Sequence, residues 1–322
     1  MIYKYGICVT LVLCLLLPVA EVSAQGEFSA QLSEVGIDAN PEFPRPGQKV
    51  QLSLNDYGSN TFGAEVIWYL NGEVVPAAKN QRQTEIIAGK VGEEQVIEVE
   101  LKTSVGGTIR FSRVLSPVYL DIIIEPQTHV PAFYQGRALP SFGSMVNVTA
   151  IVDGGNVDPS SLMYTWRVNR KVIEGGPLRG GYKVNFQVPQ GDYFTLALEV
   201  SRIAGGVVAR RAYDAASVKP QLQFYEYTEL YGISPLTISD TFIPTNLTNT
   251  LQVSPYYLDI KTYNEPDFIE WKVNSQLVPT AANPYQLTFA RQFSTGRSFI
   301  GFHVRNRTQL LQGAQGGISI NY

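Results

Sequence analysis

The stretch Trp68-Tyr69-Leu70-Asn71-Gly72-Glu73-Val74-Val75, WYLNGEVV, returns twice in altered form: WRVNRKVI at residues 166–173 and WKVNSQLV at residues 271–278. The three copies use all three tryptophans of the chain. In each, apolar and polar residues alternate up to an Asn, and the pattern resumes after the next residue. Alternation with a period of two marks a strand with one buried face. Asn-Gly is a strong signal for a type I′ hairpin, and the Asn of the other two copies tolerates the same left-handed backbone. Each copy reads as strand, tight turn and returning strand, with the Trp on the inward face.

The tryptophans stand roughly 100 residues apart, the size of one antiparallel sandwich domain. Alternating segments flank each of them. Upstream lie VQLSL at 50–54, VNVTA at 146–150 and LQVS at 251–254. Downstream, Ile97, Val99 and Leu101 alternate with charged residues, as do Leu196, Leu198 and Val200 with their neighbours, and Ile300, Phe302 and Val304 with theirs. Two copies then turn at a Gly pair, Gly106-Gly107 and Gly205-Gly206, where positive φ is needed. The third copy has a Gln-rich connection at 308–317 instead, with a last strand expected at 318–320.

Helical stripes are nearly absent, and 19 prolines and 28 glycines punctuate the short strands. The fold class expected is all-β: three tandem immunoglobulin-like antiparallel β-sandwich domains at 25–122, 123–219 and 220–322, joined near 122–126 and 218–222. Trp68, Trp166 and Trp271 are the expected core centres.

Residues 1–24 read as a cleaved signal peptide. Lys4 gives the positive start, 6–19 is apolar, and Val22-Ser23-Ala24 supplies a cleavage site before Gln25. The apolar run is shorter than the ~20 residues a membrane span requires. Both cysteines, Cys8 and Cys14, fall in this leader. The mature chain then has no disulfide, thiolate or Cys-held metal, and each Trp ring must fill space that other sandwiches give to a disulfide. The net charge of −3 is mixed along the chain, with no basic stripe for nucleic acid.

The segment Pro46-Gly47-Gln48-Lys49-Val50 before a strand, followed by Trp-x-x-Asn-Gly, resembles immunoglobulin-like and PKD-like domains of bacterial surface proteins. It departs from the PKD pattern, which carries an aspartate-rich W-D-F-G-D-G where this chain has Trp68-Tyr69-Leu70-Asn71-Gly72. Over its whole length the chain resembles a family of secreted three-domain proteins common among small-genome candidate-phylum bacteria. ANPEFPRPGQKV at 39–50, VPAFYQGRALPSFGSMV at 130–146, YTWRVNRKV at 164–172 and FYEYTELYGI at 224–233 carry that resemblance. It implies an extracytoplasmic β protein and brings no chemistry with it.

Motifs for catalysis are missing. The two histidines, His129 and His303, belong to different repeats, and there is no nucleophile elbow, zinc-protease motif or phosphate loop. The acidic run from Asp153 to Asp158 could hold calcium through carboxylates, but it lacks the EF-hand pattern and reads better as turns. No catalytic, cofactor-binding or metal residue is therefore expected, and no enzyme. Aromatics cluster where the second and third repeats open: Phe133, Tyr134, Phe224, Tyr225 and Tyr231. They are expected either to pack at junctions between domains or to form a binding surface.

These readings combine into a non-enzymatic, extracytoplasmic structural or adhesive protein, secreted or held at the cell envelope. Its partners would be envelope or extracellular proteins, or a glycan. The alternative is a glycan-binding module using exposed aromatic residues.

Overall fold

The computed structural model describes residues 35–56, 61, 63–103, 106–155, 157–291 and 295–322. The expected signal peptide lies outside the described residues. The fold is an all-β multi-domain sandwich, with six sheets among the described residues. Two compact units are present. One contains residues 35–39, Gln51–Thr84 and Val96–Arg113; the other contains Asn40–Val50, Glu85–Gln95 and Val114–Tyr322.

Each tryptophan repeat supplies two sheets. Around Trp68 one sheet runs Val35–Asn40, Lys49–Asp56, Gln83–Ile87, and the other Glu73–Val74, Glu65–Leu70, Gln95–Lys102, Thr108–Leu115. Around Trp166 they are Lys183–Gln187, Met145–Asp153, Tyr119–Pro126, and Lys171–Val172, Met163–Val168, Tyr193–Ser201, Val207–Ala216. Around Trp271 they are Gly232–Ile238, Gln221–Thr228, Thr248–Tyr256, Gln286–Ala290, and Thr241–Phe242, Gly313–Asn321, Arg297–Arg305, Phe268–Val273, Gln276–Val278. In the seven-stranded immunoglobulin constant arrangement, the fourth strand joins the sheet of the first, second and fifth. Here the strand after the Trp hairpin stays beside the Trp strand in all three repeats. A two-residue turn leaves it no room to cross.

The hairpins explain why the motif is repeated. Asn71 and Gly72, Asn169 and Arg170, and Asn274 and Ser275 all have positive φ, the requirement of a type I′ turn. The Asn does more than tolerate that backbone. Its side-chain oxygen accepts from the main-chain N–H of the neighbouring strand: Val96 at 2.8 Å, Thr195 at 3.0 Å and Phe299 at 2.8 Å. Its own N–H donates to the carbonyl of that same residue each time. The turn is thus pinned to the sheet from both sides.

Trp68, Trp166 and Trp271 are 1%, 2% and 0% exposed. Each indole N–H donates to a carbonyl 13 or 15 residues on: Gln81, Gly181 and Pro284, at 2.8–2.9 Å. A buried ring of this size has its one polar atom satisfied, so it can serve as a core centre.

Two expectations need correction. The join placed near residues 122–126 is part of the strand Tyr119–Pro126, which pairs along its whole length with Met145–Asp153. Three consecutive isoleucines, Ile122 to Ile124, hide the alternation there. The last strand is Gly313–Asn321 rather than 318–320, because Gly313, Gly316 and Gly317 carry no side chain to show a period. A short helix, Ile260–Asn264, also appears, with Asp259 at its N-terminus accepting from Lys261 and Thr262 N–H groups.

Candidate functional site

The aromatic cluster of the second repeat lies in the loop after Tyr119–Pro126. That eight-residue strand carries the chain about 26 Å. Phe133 and Tyr134 therefore meet the third sandwich, not the first strands of their own. Phe133 packs edge-on against Tyr225 at 5.3 Å, and Tyr134 against Tyr256 at 5.2 Å. The hydroxyls of Tyr134 and Tyr257 are 2.9 Å apart, and those of Tyr225 and Tyr256 are 2.6 Å apart. Rings bury while hydroxyls pair, which suits Tyr at an interface. Burial, with the Tyr134 hydroxyl beside it, pushes the Tyr257 phenol up to about 12. Tyr257 also has φ +59, a left-handed backbone that costs a non-glycine residue about 1–2 kcal/mol.

Two of the expected residues do not join this cluster. Phe224 points into the core of the third sandwich, with its ring 6.4 Å from Trp271. It alternates with Tyr225 along one strand, so the two face opposite sides. Tyr231 lies in a hairpin turn and is 83% exposed, so junction packing does not extend to it.

The remainder of the joint is polar and was not read from the sequence. Residues 127–129 run antiparallel to 257–260, with a bridge at Thr128 and Asp259. His129 N–H donates to Leu258, Tyr257 N–H to His129, and Ile260 N–H to Gln127, at 2.7–3.0 Å. Gln312 is 0% exposed. Its amide nitrogen donates to Ser141 Oγ at 3.0 Å and to the Phe142 carbonyl, and its amide oxygen accepts from Asp259 N–H at 2.7 Å. Asp259 in turn accepts from Met145 N–H at 3.0 Å. An N-capping Asp has a local signature; its second role, across to Met145, has none.

His129 lies in the same seam. Its Nδ1 donates to the Pro255 carbonyl at 2.6 Å, and its ring stacks on Tyr263 at 3.6 Å. Tyr263 stacks on Tyr285, which meets Phe302, which meets Trp271. A chain of rings thus links the joint to the core. Burial pushes the His129 imidazole below its usual range, opposed by the Pro255 hydrogen bond.

The joint holds no nucleophile and base in reach of each other. His303, the other histidine, is on the outer face of Arg297–Arg305 beside Glu270. Asp153 and Asp158 are spent on turns: Asp153 accepts from Gly155 N–H, and Asp158 from Ser160. Asn156, between them, lies outside the described residues. Among the described residues no group of three or more His, Cys, Asp or Glu could hold a metal ion, and no helix is long and apolar enough to cross a membrane.

No family model matches the chain, and no curated protein does. Among solved structures it is similar to the three N-terminal domains of the bacteriophage RB49 highly immunogenic outer capsid protein, at 11% identity over 89% of this chain and 97% of that one, with a TM-score of 0.25. It is similar to the central fibronectin-III array of RIM-binding protein, at 10% identity over 89% and 96%, TM-score 0.28. It is also similar to Bacteroides ovatus SGBP-B of a mixed-linkage glucan utilization locus, in complex with a mixed-linkage heptasaccharide, at 12% identity over 88% and 70%, TM-score 0.22.

Proposed function

We propose that this chain is a non-enzymatic, extracytoplasmic structural or adhesive protein that presents tandem sandwich domains to a partner at the cell envelope. On this reading the chain is three tandem sandwich domains, one around each tryptophan. The observation that carries the reading is the buried Gln312 joint. A polar network that is satisfied on every side fixes one geometry rather than many. Such a joint holds two neighbouring sandwiches at a set angle, which suits a module that presents its surface to a partner. Supporting it, His129, Asp259 and Gln312 each make their hydrogen bonds within that joint.

The test is retention of purified residues 25–322 on envelope fractions, with a turnover screen on hydrolase and transferase substrates beside it. Saturable retention without turnover is expected. Turnover lost on mutating a single cluster of carboxylates, or no retention at all, would sink the reading.

A further inference from the structure

The outer face of the third Trp sheet differs from its two counterparts. Strand pairing arranges its outward residues in rows: Glu270, His303 and Gln315 in one, Lys272, Gly301 and Gly317 in the next. Phe299 opposes Ser319 beyond them. The two glycines leave two of that row's three positions without side chains, and a trough of about 570 Å³ opens there. The matching face around Trp68 holds a hollow of only about 120 Å³, beside the Glu100–Arg110 ion pair. The Trp166 repeat carries the same kind of pair, Glu199–Arg210. In the third repeat His303 and Gln315 stand in those positions.

One wall of the trough is aromatic. A methyl group at Gly317 would overlap the Phe299 ring, so one side of that ring rests on the glycine floor. The residue is still 52% exposed, which leaves the other side open to a ligand. The opposite wall is polar. Lys272 Nζ donates to Glu270 at 2.7 Å, and His303 Nδ1 is 3.8 Å from the same carboxylate oxygen. Lys272 holds Glu270 ionised, and burial keeps His303 below its usual range. The wall thus offers a carboxylate, an ammonium, an uncharged imidazole and an amide, with no net charge.

We propose that this trough binds a neutral glycan. A pyranose has an apolar C–H face that can lie on the Phe299 ring and hydroxyls that both donate and accept. Glu270 accepts, Lys272 donates, and His303 and Gln315 do either. Among the lining residues a polyanion finds one cation, Lys272, already paired, while Arg305, the next outward residue beyond His303, lies over the Phe268 ring at 4.8 Å. An apolar ligand would strand the polar wall without partners. The inference rests on the reading of this chain as an interaction module and names one ligand for it.

Gly301 gives a clean test. A Cβ there meets Phe299 at 3.6 Å, an ordinary contact, so Gly301→Val keeps a strand-compatible residue while filling the floor. Binding of cellohexaose, laminarihexaose, xylohexaose and chitohexaose is measured by calorimetry on wild type, Gly301→Val and Phe299→Ala, with heparin as the polyanionic control. Thermal unfolding verifies that each variant folds. At least one neutral hexaose is expected to bind, about tenfold or more weakly in both variants. Binding of none of the four, binding of heparin alone, or equal binding by folded variants overturns the proposal. Envelope retention by Gly301→Val equal to wild type, with no hexaose bound, would sink the glycan site and leave the structural reading standing.

Discussion

Gln312 and Ser141, 171 residues apart in the chain, are both fully buried and joined side chain to side chain at 3.0 Å. The same amide reaches the Phe142 carbonyl and the Asp259 N–H. One side chain therefore satisfies three groups contributed by two sandwiches. Removing it leaves buried donors and acceptors without partners. Gln312→Leu is expected to destabilise the molecule by about 2–3 kcal/mol, read by urea unfolding. A loss below ~0.5 kcal/mol would mean that water takes over the network.

The indole rings are the next test. Trp166→Ala removes a ring that is 2% exposed and leaves a cavity among Tyr164, Phe194 and Leu198. A loss of about 3–5 kcal/mol is expected in denaturant unfolding. An unchanged transition midpoint would contradict the ring's role as core centre.

The Asn of the hairpin can be dissected. Asn169→Gly keeps the positive φ but loses the bond to Thr195 N–H, at a cost of about 0.5–1.5 kcal/mol. Asn169→Ala loses the bond and also meets left-handed strain of about 1–2 kcal/mol. Ala should therefore be the worse of the two. Equal effects would show that the hydrogen bond, not the backbone, sets the preference for Asn.

These hairpins were legible because turn chemistry and a period of two are local properties. The joint was not. Nothing near Gln312 announces a partner at Ser141, and glycines at 313, 316 and 317 erase the alternation that would have extended the last strand. The trough was invisible for the same reason, since its floor is made of residues without side chains. Phe224 and Tyr225 look alike in sequence, and only their alternation along one strand separates core from junction.

Protonation should loosen the joint. His129 has a pKa depressed by burial, so the unfolded chain, near 6.5, takes up a proton first. The stability it contributes is complete above about pH 6.5 and falls as pH drops through the folded value. His303, also depressed, acts in the same direction. Wild type should lose stability between about pH 7 and 5, and His129→Gln should flatten part of that slope. A slope identical in the variant would remove His129 from the account.

The fixed joint between the second and third sandwiches is best tested by a distance. Residues 25–322 contain no cysteine, so Arg202→Cys and Thr280→Cys, both exposed, can be spin-labelled alone. Electron–electron double resonance should give one narrow distance distribution. Adding Gln312→Ala and Tyr134→Ala should broaden it. A distribution in the otherwise native chain as broad as in that variant would show two sandwiches moving freely, and would contradict the claim that the joint holds them.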